Sequence, residues 1–336
     1  MKNLLKSNEF YLALLIVVIA AGITVMNPSF LTGQNIYGFL KTASVDGIMA
    51  VGVLFVLILG GTPDVSFTAI AQVVQYVIVL IMLQHGGDIY VALALATVMG
   101  AVLGALNGVM IHFFKVTTIV VTIATFNLYY GLLYVFSGGN VIFEVPASFR
   151  AFGDYLLFSS QTASGVPYGL SLLPVMWLVV LIVGWFILNR TVLGRGIFAM
   201  GGNEVAAERI GVRTGATRIF VFAFVGLLAG LAAVAHTALV QSAIPNSIVG
   251  RELEIIAAVV LGGASLFGGK GTIIGTALGI LLFAIMRNGL VLLNISSYWY
   301  DVMIGVAIMI GISISAYQQI KARRARVNVK VEALNP

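Results

Sequence analysis

Several short segments carry residue types and spacings that could do chemistry in an otherwise apolar chain. Gly60-Gly61-Thr62-Pro63-Asp64-Val65-Ser66 breaks a hydrophobic run with two glycines and a proline, and places a carboxylate and a hydroxyl at the break. Backbone groups freed at membrane depth are tolerated only where protein or a wet cavity satisfies them. Asp64 there either lines a polar path or pairs with a cation. The plainer reading makes it a cap for the next helix, accepting from the amides of Ser66 and Phe67. A second segment, Gly262 to Thr272, imitates a phosphate loop because Gly269-Lys270 follows Ala264 by a short spacer. Gly271 occupies the position where Ser or Thr must reach the metal, so the match fails. The segment, with Gly262, Gly263 and Ser265, is read instead as a glycine-rich cytosolic hairpin.

Arg287-Asn288 is the most costly pair to bury, since it interrupts the apolar run 271–293. An internal partner or a water-filled cavity is expected there, and Asp301 is a candidate partner if the two helices are adjacent. Gly60, Gly61, Asp64, Ser66, Gly262, Gly263, Ser265, Arg287 and Asn288 are therefore the candidates for a translocation path or a helix break. No acidic residue reads as lying in the middle of a span, which argues against an ion-coupled carrier. His85, His112 and His236 lie far apart in sequence, and the chain has no cysteine. Disulfides, thiolate metal sites and cysteine nucleophiles are excluded, no metal site is expected, and no catalytic group is assigned. Intramembrane catalysis would need clustered Asp, His or Ser-Lys groups that the sequence does not supply.

The segment from Asn189 to Arg218 is basic and lies between two long apolar runs. Asn203 is a good N-cap, Glu204 suits the positive helix end, Val205 to Ile210 continue the helix and Gly211 stops it. So short a helix is marginal alone in water and persists only when packed. It either lies on the protein's own cytosolic surface or docks a partner.

These segments are positioned by membrane helices. The chain has 336 residues, 60% hydrophobic and 9% charged, far from the composition of a soluble domain. Apolar runs long enough for a hydrocarbon core fall at 10–26, 45–60, 65–83, 89–113, 117–136, 168–188, 218–240, 253–267, 271–293 and 298–318. The expected fold is all-α, a polytopic transmembrane bundle of about ten spans. With the amino terminus in the cytosol, Lys41, Arg150 and Arg251 fall outside, Arg287 falls within a span, and the remaining Lys and Arg face the cytosol. The positive-inside rule thus puts both termini inside, and the net charge of +6 sets topology rather than binding nucleic acid. The first run reads as an uncleaved span rather than a signal peptide. Residues 1–336 form one transmembrane domain, with a cytosolic loop at 189–217, a basic tail at 319–336 and an external segment 137–167 holding a short helix near 146–155. Gly100, Gly104 and Gly108, Gly271, Gly275 and Gly279, and Gly226 with Gly230 recur every four residues, the spacing of close helix contacts.

Three of these segments resemble one family. The run Gly60 to Ser66, the run Gly194-Arg195-Gly196-Ile197-Phe198-Ala199-Met200-Gly201-Gly202-Asn203-Glu204-Val205-Ala206-Ala207, and the run Glu254 to Thr272 with Asn288-Gly289-Leu290 beyond are similar to the permease subunits of bacterial ribose-type ATP-binding-cassette (ABC) importers. The resemblance covers nearly the whole chain. It implies a helical transmembrane subunit of the bacterial cytoplasmic membrane that moves a pentose, hexose, polyol or related solute inward. It also implies two ABC ATPase subunits, a second permease copy or paralogue, and a periplasmic or lipid-anchored sugar-binding protein. ATP and Mg would sit on the partner ATPase, with no cofactor in this chain. Gly201, Gly202, Asn203, Glu204, Ala206 and Ala207 match the loop that docks in the ATPase. Pro63, in place of an aliphatic residue, and Phe67-Thr68, in place of Val-Gly, depart from the pattern. The alternative is a stand-alone secondary transporter or facilitator for a small polar solute.

Overall fold

The structure, a computed structural model, describes residues 8–60, 62–161, 165–311 and 313. Apolar runs without internal breakers become helices: α1 (Asn8–Met26), α2 (Gly33–Gly60), α3 (Phe67–His85), α4 (Ile89–Phe114), α5 (Thr118–Ser137), α7 (Leu172–Arg190), α10 (Thr214–Val240) and α12 (Ile273–Leu292). These eight are long and apolar enough to cross a membrane. Shorter helices are α6 (Ala147–Asp154), α8 (Val192–Gly202), α9 (Glu204–Arg209), α11 (Glu252–Leu261) and α13 (Tyr298–Gly311). The protein is therefore an all-α, polytopic bundle. A small antiparallel hairpin, β1 (Leu156–Gln161) with β2 (Pro167–Ser171), follows α6 in the segment expected to be external. Sequence reading anticipated α6 but not the hairpin.

The expected span at 253–267 is corrected. Its helix, α11, has ten residues, a length of about 15 Å and half a bilayer crossing. The chain before it, 241–251, is irregular but runs along α3. Gln75 Nε2 donates to the Ser242 carbonyl at 3.3 Å, Gln72 Nε2 to the Ile244 carbonyl at 2.7 Å, and the Ile248 amide to Gln72 Oε1 at 2.8 Å. Thr68 donates to Glu252 just beyond. Side-chain amides on α3 thus satisfy backbone that a regular helix would have satisfied internally. His236 of α10 is held by Gln75 at 2.9 Å, as suits a satisfied polar residue rather than an isolated one.

α2 is the central rod, buried from Ala43 to Leu59, with α10, α7, α12, α8 and α11 packed around it. α4 and α10 meet along the glycine seam. A side chain at Gly100 would overlap the Gly226 carbonyl, and one at Gly230 the Ala96 carbonyl. One at Gly104 would sit 3.0 Å from the Gly226 Cα, and one at Gly108 2.8 Å from the Ile219 Cα. Gly275 and Gly279 of α12 meet α11 at the carbonyls of Gly262 and Ala258 in the same way. Helices without a hydrophobic drive between them gain most from such close approach.

Candidate functional site

The three sequence segments do not form one site. Two of them meet at the end of α2. α8, capped by Thr191 Oγ1 on the Gly194 amide at 3.0 Å, runs back along the bundle with Gly194, Gly196, Ile197 and Met200 buried. Its Gly201 reaches the Ile58 carbonyl so closely that no Cβ would fit, and Gly268 and Gly269 close over the same point. The Gly269 amide donates to the Ile58 carbonyl at 2.8 Å, satisfying an acceptor at the helix end. Gly268 and Gly269 have φ of +82° and +70°, conformations that suit glycine. Gly202, next to Gly201, has open space around it.

α9 follows directly. Asn203 Oδ1 accepts from the Ala206 amide at 3.0 Å, and Gly211 ends the turn at φ +89°. Ala207 is buried against the bundle, and its carbonyl accepts from the Val212 amide at 3.1 Å, which closes the turn after the helix. Glu204 receives Arg218 Nη2 at 2.5 Å. The outer face carries Val205, 60% exposed, and Ile210, 77% exposed, between Glu208 and Arg209. Sequence reading found this cap and stop. It missed α8, although Thr191 three residues before Gly194 is an N-cap signal.

The glycines of the third segment shape a hairpin. Gly263, at φ +98°, ends α11 with its amide on the Val260 carbonyl at 2.9 Å while the Ala264 amide bonds the Val259 carbonyl at 3.2 Å. The Ser265 amide bonds the Lys270 carbonyl at 3.0 Å, and Ser265 Oγ accepts from the Phe267 amide at 3.1 Å. Ser265 thus holds a turn. Gly60 closes α2 with open space beside it, and Gly61 lies outside the described residues.

Asp64 and Ser66 form a separate buried cluster between α2 and α3. Asp64 is 1% exposed, and its Oδ1 accepts from the Ser66 amide at 2.7 Å and the Ser66 hydroxyl at 2.6 Å. Ser66 occupies the N-cap position of α3 but makes no side-chain cap bond, and its amide is taken by the Asp64 carboxylate, as the capping reading expects for Ser66. Asn107 Nδ2 donates to Ser66 Oγ at 2.7 Å, and Asp64 Oδ2 has no hydrogen-bond partner. Burial pushes the Asp64 carboxyl up to about 6, against the pull of the two bonds from Ser66.

Arg287 and Asn288 lie in a cavity of about 520 Å³ between α2, α11, α12 and α13, which reaches the turn Pro28–Leu31. Arg287 Nη2 bonds Glu254 Oε2 at 2.6 Å, and its guanidinium lies over the Tyr300 ring at 4.5 Å. Tyr300 also donates to Glu254. Asp46 Oδ2 accepts from Arg251 Nη2 at 2.8 Å and lies 4.0 Å from Arg287 Nη1. Asn288 and Asn35 exchange amide hydrogen bonds of 2.8 Å. The partner of Arg287 is therefore Glu254, with Asp46 beyond it, and Asp301 is exposed. Asp46, in the middle of α2 and 6% exposed, also overturns the expectation that no acidic residue lies within a span. The sequence signal was a lone carboxylate between Val45 and Gly47, at the edge of an apolar run that proves to extend back to Gly33.

A polytopic helical bundle, with a packed surface helix at one end of its central rod and a polar cavity along that rod, is the build of a multi-pass membrane protein. The chain belongs to the family described as branched-chain amino acid transport system / permease component, which matches residues 35–312. It is 34% identical over 321 residues to the ribose import permease protein of Escherichia coli strain K12, covering 95% of this chain and 96% of that one. It is 35% identical over 303 residues to the ribose import permease protein of Bacillus subtilis, covering 90% of each. The autoinducer 2 import system permease protein of an Enterobacter species is 32% identical over 311 residues, covering 92% of this chain and 87% of that one. No solved structure matches the chain.

Proposed function

We propose that this chain is the transmembrane permease of a bacterial ABC importer for a sugar or sugar-like solute. A separate ATPase drives it and a substrate-binding protein feeds it. Relatives similar along almost their whole length are ribose import permeases, and those of autoinducer 2 import systems follow. In this reading the segment 241–261, loop plus half-helix, makes one broken crossing, and α13 begins the last. The eight long helices with these two would give ten passages, an even number that leaves both termini on one side, and the charge distribution favours the cytosol for that side.

The observation that carries the mechanism is the seat of α9. A short capped helix with an exposed Val205 and Ile210 is held by Ala207, while α8 before it is locked at Gly201 onto Ile58 of the central rod. Asn203, Glu204 and Ala206 face outward with them. A force applied to α9 by an ATPase closing on ATP is carried through α8 to α2, which runs about 18 Å from Ile58 to Asp46 at the cavity. Nucleotide and Mg belong to the partner in this scheme, and a second permease copy or paralogue completes the pore. The stand-alone carrier draws support from Asp46, a buried acid within a span. That carboxylate already receives Arg251 Nη2 at 2.8 Å, so its charge is matched by an internal partner rather than left for a coupling cation.

The test of the solute class is to purify the intact importer with its binding protein and identify the retained solute by mass spectrometry. A monosaccharide or polyol is expected. A branched-chain amino acid, the solute in the family's description, would overturn the sugar assignment.

A further inference from the structure

We infer that the cavity beside α2 is a solute-binding station for a small neutral polyhydroxylated ligand, with the Asp46 carboxylate as its central acceptor. This rests on the importer reading and adds to it a defined site within the permease itself. The volume, about 520 Å³, lies in the range of small-molecule sites, which are mostly apolar with a few placed polar groups. Here Phe39 and Phe283 supply apolar wall, while Asn35, Thr42, Asp46 and Asn288 supply donors and acceptors.

Charge selects the ligand class. The two carboxylates on the lining, Asp46 and Glu254, are each paired, Glu254 with Arg287 on the lining and Asp46 with Arg251 behind it, so the cavity and its immediate surround are close to neutral. A phosphorylated ligand would bring charge to a described lining whose cation, Arg287, is already paired with Glu254, and burying such a charge unpaired is costly. A neutral polyol has no such cost. The second observation is Asp46 Oδ1, which is buried on the cavity-lining residue and has no hydrogen-bond partner. Buried acceptors are nearly always satisfied, and a ligand hydroxyl would satisfy this one. Asp46 also lies on the rod whose far end is locked to α8, so ligand at Asp46 and force at Gly201 act on one helix.

The chain has no cysteine, so Thr42→Cys gives a single reporter thiol on the exposed edge of the cavity. The full chain carrying it is placed in phosphatidylcholine proteoliposomes and treated with a membrane-impermeant thiol reagent. D-ribose is expected to slow modification about threefold when present at twice its dissociation constant, and D-ribose 5-phosphate to leave the rate unchanged. Adding Asp46→Asn should abolish protection while the thiol still reacts. If that variant does not insert, Asn288→Ala, which removes a donor and an acceptor, should weaken protection instead. No protection by ribose, equal protection by the phosphate, or protection without ribose that varies with the lipid headgroup overturns the site. ATP-driven ribose uptake by the wild-type importer separates the two levels. Uptake without protection sinks this inference alone, and absence of sugar uptake sinks the importer reading beneath it.

Discussion

Gly201 at the end of α8 lies against the Ile58 carbonyl of α2 with no room for a side chain, and the Gly269 amide bonds that same carbonyl at 2.8 Å. The surface helix is therefore not a loose appendage but an extension of the central rod.

Gly201→Ala should push α8 away from α2 and cost about 1–3 kcal/mol, as overpacking does. Gly202→Ala, one residue on and facing open space, should cost little. Thermal unfolding in detergent should separate the two, and ATP-driven uptake should fall in the first. Equal behaviour would remove Gly201 from the transmission path.

Glu204, exposed, and Arg218, half-buried, form a surface pair worth about 1 kcal/mol, so Glu204→Lys should insert and fold normally. It should weaken ATPase association and abolish uptake. Adding Arg218→Glu restores an ion pair with reversed signs. If the pair only stiffened the loop, that second change would restore uptake; if Glu204 contacts the ATPase, uptake stays lost. Unchanged uptake in the single variant would refute the docking role.

How much of this was legible in the sequence depends on how local the physics is. The cap at Asn203, the stop at Gly211 and the seams of α4 with α10 and of Gly275 and Gly279 with α11 follow from short-range rules, whereas Gly271, expected on the same helix face, lies before α12 and packs against Leu54 and Ile58 of α2. The pairing of Arg287 was expected but its partner was not, because Glu254 and Asp46 reach it only through the packing of α2, α11 and α12. Arg251 and Asp46 are 205 positions apart, a distance no periodicity reports. The run 253–267 reads as a full span by hydropathy alone, whereas its helix ends at Leu261 and the chain before it is irregular. What replaces the missing helix there is a set of glutamine side chains on α3, visible only once the two segments are side by side.

Gly104→Leu should force α4 and α10 apart, because Gly226 lies 3.0 Å from where its Cβ would be. The melting temperature in detergent should drop by several degrees, consistent with an overpacking cost of about 1–3 kcal/mol. Gly131→Leu, on α5 with nothing within 4 Å, should melt as the parent does. A normal melting temperature for Gly104→Leu would count against the seam.

Asp64 gives a pH signature. A carboxyl that holds its proton more tightly folded than unfolded, about 6 against 3.8, destabilises the fold as pH rises through that window and contributes a constant penalty above it. A shift of that size corresponds to about 3 kcal/mol at most. Asp64→Asn keeps the acceptor for Ser66 and does not titrate. Relative to the parent it should gain stability between about pH 4 and about pH 6 and hold that gain at neutral pH. A parent-to-variant difference independent of pH would show that Asp64 does not titrate in this range.

The most direct test of the central claim, that this chain moves solute only when an ATPase grips α9, is radiolabelled ribose flux into proteoliposomes holding the purified chain. The chain alone should pass no ribose, and flux should appear only when ATPase, binding protein and ATP are added together. Ribose equilibrating through the chain alone, with no nucleotide and no partner, would contradict the account.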